Sequence, residues 1–258
     1  EEGWEEVVDY IIDWHKNKSH YIDAKFNIFR NQKKNDFAFL NNNNLISIFK
    51  KKKFIGSLTV VSNKKYSFIK KKINNPYLKS ETNDENMSFA YDVVKKFNIS
   101  DAQIINAANT FKGLSHRHEI IYKKKYITCI NDSKATSFEA TKQALMSNTN
   151  IYWILGGLPK KGDLFNFQKI KNNILRGYII GKNINFYKKQ LNKKIDFVVS
   201  KTLKNALKQI IRSKEINDKK NKIILFSPAG ASFDQYKNFE ERGNSFKKLI
   251  KLYARKYF

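Results

Sequence analysis

From about Tyr126 onward, short apolar runs alternate with amphipathic ones, the pattern of a parallel sheet covered by helices. The runs Tyr126 to Ile130, Ile151 to Leu155, Tyr178 to Ile180, Phe197 to Ser200 and Lys222 to Phe226 predict strands. Between them, helical spacing of apolar positions predicts helices over Ser137 to Met146, Phe165 to Ile174, Phe186 to Leu191 and Leu203 to Arg212. A last helix is expected through Phe246, Leu249, Ile250 and Tyr253. So regular a β-α repeat predicts a Rossmann-like domain, whose ligands sit beyond the carboxyl ends of the strands. Chemistry is therefore expected in the loops after Ile130, Leu155 and Phe226.

The first part reads differently. Tyr21, Ala24, Lys25, Ile28 and Phe29 fall at helical spacings, and Phe37 to Leu40 follows as a short strand. In the lysine- and asparagine-rich stretch that comes next, Leu58 to Val61 and Tyr66 to Ile69 alternate weakly and predict hairpins. Two helices are expected after it, over Met87 to Phe97 and Asp101 to Thr110. Polar residues from Ser115 to Glu119 separate the two patterns. The expected division is residues 1–115, part of an α/β domain, and 116–258, the Rossmann-like domain, a length that suits two ordinary domains.

The formal net charge of +27 raises a nucleic-acid reading, because clustered cations gain affinity for phosphate backbones by releasing counterions. Against it, the only arginines are Arg30, Arg117, Arg176, Arg212, Arg242 and Arg255, and lysine lacks the bidentate fork that reads bases. The lysines are also spread along the chain among asparagines and isoleucines, which reads as compositional drift. Cys129 is the only cysteine, so a disulfide framework and a cysteine-built metal site are excluded, and its apolar run suggests a small buried hydrophobe. No apolar stretch approaches the roughly 18 to 20 residues of a membrane span, and the acidic opening, Glu1, Glu2, Glu5, Glu6 and Asp9, is no secretory signal. A cytoplasmic monomer without a membrane partner is expected.

Three strand-end loops carry unusual sequences. Asn131-Asp132-Ser133-Lys134-Ala135-Thr136 follows a strand and opens a helix, so its oxygens can cap free N–H groups, with or without an anion at Lys134. Gly156-Gly157-Leu158-Pro159-Lys160-Lys161-Gly162 allows close backbone approach beside lysines, though no G-x-x-x-x-G-K-[ST] loop occurs in the chain. The third loop begins Ser227-Pro228-Ala229-Gly230-Ala231-Ser232 and continues Phe233-Asp234-Gln235-Tyr236-Lys237-Asn238-Phe239-Glu240-Glu241-Arg242-Gly243, a polar run too specific to be filler.

Together these loops resemble the D-glutamate-adding members of the Mur ligase family, whose pattern S-P-[AG]-x-A-S-x-D-Q-[FY]-x-[ND]-[FY]-E-x-R-G the third fulfils almost letter for letter. The likeness extends to Thr110-Phe111-Lys112-Gly113-Leu114-Ser115-His116-Arg117-His118-Glu119, and to Asp13-Trp14-His15 with Tyr21-Ile22-Asp23-Ala24-Lys25. The resemblance implies a partial central ATP-binding α/β domain followed by the Rossmann-like domain. It implies a ligase that uses ATP and Mg2+ to join D-glutamate to UDP-N-acetylmuramoyl-L-alanine through an acyl phosphate, in peptidoglycan biosynthesis. Lys25 then matches a carbamylated lysine that organises magnesium, and His15 a magnesium ligand. Lys134 matches the lysine at the reaction centre. Asn86, His116, Arg117 and Asp132 match nucleotide-side residues, while Thr136, Lys160, Ser232 and Phe239 match the D-glutamate pocket.

Some positions depart from the family. Phe89 stands where a second adenine-side asparagine is usual, Glu85 where a histidine is, and Ser137 where asparagine ends the first loop. The uridine-binding domain, the phosphate-cradling loop and a glutamate ligand of magnesium have no counterpart here. A partial chain, inactive by itself, is therefore expected. The alternatives are a D-glutamate- or nucleotide-binding fragment without catalysis, and a basic nucleic-acid binder.

Overall fold

The computed structural model describes residues 17–79, 83–213, 216 and 218–257. The chain divides into two compact units, Glu1–Lys112 and Gly113–Phe258.

In the first unit, α1 (Lys18–Arg30) starts at Asn17, whose side chain accepts the His20 N–H. Strand β1 (Phe37–Leu40), α2 (Asn43–Lys51) and β2 (Ser57–Val60) form a β-α-β crossover, with Phe37 opposite Ser57 and Leu40 opposite Val60 in parallel register. Helices α3 (Asn63–Lys70), α4 (Pro76–Lys79), α5 (Asp84–Lys95) and α6 (Asp101–Thr110) follow. The expected hairpins do not form. Leu58 belongs to a parallel strand, and Tyr66 and Ile69, three residues apart, lie on one buried helical face with Ile73 close by. A local cap explains α2, which the lysine- and asparagine-rich composition hid: the Asn42 side chain accepts the N–H groups of Asn44 and Leu45, while the expected helix Asp101–Thr110 opens on a capping box of Ser100 with Gln103.

The second unit is a six-stranded sheet of order β3-β4-β8-β5-β6-β7, comprising Glu119–Lys124, Ile127–Asn131, Lys222–Phe226, Ile151–Gly156, Ile174–Ile180 and Phe197–Lys201 respectively. Strand β3, unexpected from its polar sequence, pairs antiparallel with β4, and the remaining neighbours are parallel. Helices α7 (Phe138–Met146), α8 (Ile184–Leu191), α9 (Leu203–Ile211) and α10 (Phe239–Tyr257) complete the unit. Alternate residues of β5 feed two cores: Trp153 and Leu155 pack with Phe138 and Leu225, whereas Tyr152 and Ile154 pack with Ile224, Phe226 and Phe246. Cys129 is fully buried in the latter core, where burial pushes its thiol up to about 12.

No α-helix forms over Phe165 to Ile174; only Lys171–Asn173 makes a 3-10 turn. Side-chain amides instead fix the backbone of this segment in an irregular course. Gln190 accepts the Phe165 N–H at 3.1 Å and donates to the Asp163 carbonyl at 3.2 Å, and Asn166 accepts the Gln168 N–H at 3.0 Å. Phe165 then stacks on Phe138, with ring centres 4.2 Å apart.

Candidate functional site

Strand β8 lies between β4 and β5, so the three unusual loops leave the carboxyl ends of three adjacent strands. They are stitched together by backbone hydrogen bonds. The Asp132 N–H donates to the Phe226 carbonyl and the Gly156 N–H to the Pro228 carbonyl, each at 2.8 Å. Leu158 and Ala231 exchange both backbone bonds, again at 2.8 Å. This approach requires glycine at 157, where φ is +132° and a Cβ would fall against the Ala231 carbonyl.

The loop after β8 is fastened further by its own signature residues. Asp234 accepts the Lys182 N–H at 2.9 Å, and the Gln235 side chain donates to the Lys201 carbonyl at 3.2 Å. Arg242, 1% exposed, donates to the Gly230 carbonyl at 2.9 Å and the Ser133 carbonyl at 2.8 Å, joining the loops after β8 and β4. Burial pulls its guanidinium down to about 10. Sequence reasoning gave these three residues no individual role. The available signal was an arginine, rare in this lysine-rich chain, inside the most specific motif.

Around this frame the expected residues are distributed as follows. Asp132 is 8% exposed, and burial pushes its carboxyl up to about 6, opposed by the Ser227 hydroxyl, the His118 N–H and the Arg117 charge. Ser227 donates to Asp132 at 2.6 Å and lies 3.0 Å from the Thr141 hydroxyl. Lys134 is exposed; its N–H donates to the His116 carbonyl at 3.1 Å, and its ammonium stands 4.8 Å from the Phe239 ring centre. The Phe239 carbonyl in turn accepts the Ser133 hydroxyl at 3.0 Å. Thr136 is exposed, Lys160 half-buried and Ser232 buried.

His116 is buried with φ +66°, its ring 3.0 Å from the Asn131 amide and edge-on to Phe239. Burial, then the nearby Lys247, lower its pKa, favouring the neutral imidazole. The His116 backbone N–H donates to the Glu119 carboxylate at 2.9 Å. Burial raises the Glu119 carboxyl, but Lys247, 2.7 Å away, and the His116 N–H outweigh it and hold the pKa below the ordinary value. Arg117 is exposed. The structure thus brings Asp132, Lys134, His116 and Phe239 together around one set of loops.

Lys25 and Asn86 belong to the first unit. Lys25 is exposed on α1, with its ammonium 5.5 Å from the Tyr21 ring centre, and Asn86 is exposed on α5 beside Asn83. His15 lies outside the described residues. Among the described residues, no group of three or more His, Cys, Asp or Glu side chains could hold a metal ion, and no helix is long and apolar enough to cross a membrane.

No family model matches the chain. Among curated proteins, it is 30% identical over 262 residues to the UDP-N-acetylmuramoylalanine–D-glutamate ligase of Rickettsia felis, a match covering 94% of this chain and 58% of that protein. It is 36% identical over 169 residues to the enzyme of that name from Wolbachia sp. subsp. Brugia malayi, covering 66% of this chain and 34% of that protein. The chain therefore spans between about a third and somewhat over half of these relatives' length. Among solved structures, a murein peptide ligase of Psychrobacter arcticus shares the fold with a TM-score of 0.53 at 10% identity, over 91% of this chain and 54% of that one. With the strand-end loops and their signature in place, the curated homologues of the chain are UDP-N-acetylmuramoylalanine–D-glutamate ligases, and its fold is the one a murein peptide ligase shares.

Proposed function

We propose that these residues serve the ATP-dependent joining of D-glutamate to UDP-N-acetylmuramoyl-L-alanine in cytoplasmic peptidoglycan synthesis, the protein acting as a monomer. The alanine carboxylate takes the terminal phosphoryl group of ATP, releasing ADP. The D-glutamate amine then attacks the acyl carbon, and phosphate departs as the amide forms. Lys134 supplies positive charge where the phosphates and the tetrahedral intermediate carry negative charge. Thr136 and Lys160 hold the α-carboxylate of D-glutamate, and the Ser232 hydroxyl with the Phe239 backbone N–H holds its side-chain carboxylate, since a sequestered carboxylate needs paired donors. Asp132 accepts from the ATP ribose, Asn86 meets the adenine, and His116 and Arg117 lie on the nucleotide side, the Arg117 fork suiting a phosphate.

The observation that carries this reading is the joining of the three loops, bearing Lys134 and Thr136, Lys160, and Ser232, at neighbouring strand ends. Magnesium belongs to the same reading, with His15 and a carbamylated Lys25 as its expected holders. The described residues assemble no donor set for the ion, and no step is assigned to it.

Calorimetric titration of the chain with D-glutamate tests the pocket: saturable heat is expected, abolished in Lys160→Ala. Absence of binding, or binding indifferent to that substitution, overturns it. These 258 residues contain no G-x-x-x-x-G-K-[ST] loop, so taken alone they should bind without releasing phosphate from ATP.

A further inference from the structure

We infer that Asp163 is a positioning residue that sets the distance between Lys160 and Thr136, and so the grip on the α-carboxylate of the amino-acid substrate. This rests on the D-glutamate reading above. Asp163 is 8% exposed, and one carboxylate oxygen accepts the Phe138 N–H at 2.8 Å. Phe138 opens α7 two residues after Thr136, so the carboxylate of one loop is anchored on the backbone of the other.

The same residue fixes Lys160. Its N–H donates to the Lys160 carbonyl at 3.2 Å, closing a four-residue turn whose third position, Gly162, has φ +80°, as a type II turn requires. On its far side, the Asp163 carbonyl accepts the buried Gln190 amide at 3.2 Å. Three bonds from three different elements therefore hold one residue.

Helix α7 does not need this carboxylate for its ordinary cap, because the Ser137 hydroxyl already accepts the Ala140 N–H. What Asp163 adds is a tie between loops. Neither Thr136 nor Lys160 makes a side-chain hydrogen bond among the described residues, so Asp163 acts on their spacing through the backbone it anchors and through the attraction of its carboxylate for the Lys160 charge. The amino end of α7 favours the negative charge, offsetting part of its desolvation.

The test is D-glutamate binding by calorimetry on the full chain and on Asp163→Asn and Asp163→Ala. Competition with 4-aminobutanoate, which keeps the amine and distal carboxylate of the substrate but lacks the α-carboxylate, is measured in parallel. Asparagine retains an acceptor for Phe138 and should bind within about twofold of the parent, whereas alanine should lose about tenfold, the loss of one well-placed hydrogen bond to a charged ligand. Affinity for 4-aminobutanoate should be the same in all three. Equal loss of both ligands in the alanine variant, unchanged D-glutamate affinity, or failure of asparagine to rescue overturns the role of Asp163. A parent that binds no D-glutamate overturns the pocket itself, and the two failures are thereby distinguished. Should Asp163→Ala not fold, Asp163→Ser, whose hydroxyl falls short of Phe138, takes its place.

Discussion

Replacing Asp132 by asparagine should stabilise the second unit, and increasingly so as the pH rises. The carboxyl is almost sealed from water, and burial moves its pKa from 3.8 to about 6 against the pull of Ser227, the His118 N–H and Arg117. A difference of that size corresponds to about 3 kcal/mol between ionising the group in the folded and in the unfolded chain. Because folding raises this pKa, the native state binds the extra proton. The contribution of Asp132 to stability is fully present below 3.8 and is lost as the pH passes through about 6. Asparagine never ionises. Its carbonyl can accept the His118 N–H, and its amide can donate to Ser227, whose own hydroxyl then turns to Thr141, 3.0 Å away. Urea unfolding can be followed through Trp153, whose indole N–H donates to the Ser227 carbonyl at 2.7 Å, with Trp4 and Trp14 replaced by phenylalanine in parent and variant alike. The stability gap should widen in favour of Asp132→Asn by about 2.5 kcal/mol between roughly pH 4 and pH 8. A gap that stays level across that range, or widens in favour of the parent, would refute the reasoning.

Arg242→Met should lower stability by about 2 to 4 kcal/mol, because the carbonyls of Gly230 and Ser133 lose their donors while the chain around them stays buried. A midpoint in denaturant within error of the parent would show that water replaces the guanidinium. Gly157→Ala adds a methyl against the Ala231 carbonyl at a φ of +132°, so it should cost about 3 kcal/mol or more and part Leu158 from Ala231. Amide exchange at Leu158 and Ala231 that remains as slow as in the parent would contradict this.

The second unit was legible largely because its strands are apolar on both faces. Ile151 to Leu155 and Lys222 to Phe226 are buried nearly throughout and stand out against any flanking composition. Elements whose identity rests on a side chain bonding to the backbone were not legible. Phe165, Phe167 and Ile170 fall at near-helical spacing, yet the Gln190 amide holds the segment open, and nothing local announces a partner twenty-five residues away. In the first unit, Tyr66 and Ile69 were read with a period of two when the operative spacing was three. The repetitive lysines and asparagines gave no polar face to contrast with an apolar one. Within the candidate site, the motif letters pointed to ligand contacts such as Lys160 and Ser232. The residues that hold the loops, Asp163, Asp234, Gln235 and Arg242, form bonds between segments far apart in sequence, which spacing cannot reveal.

The position of β8 has a consequence in time as well as space. This strand is the last of the sheet to be synthesised, yet it occupies the slot between β4 and β5, which precede it by some seventy to ninety residues. Until it enters, those two strands are not neighbours, and the turns at their ends lack the backbone bonds that Phe226, Pro228 and Ala231 supply. Affinity for an amino acid should therefore emerge abruptly, late during folding, when a single long-range insertion closes the gap. That step, costly in chain entropy, is the natural candidate for the slowest one.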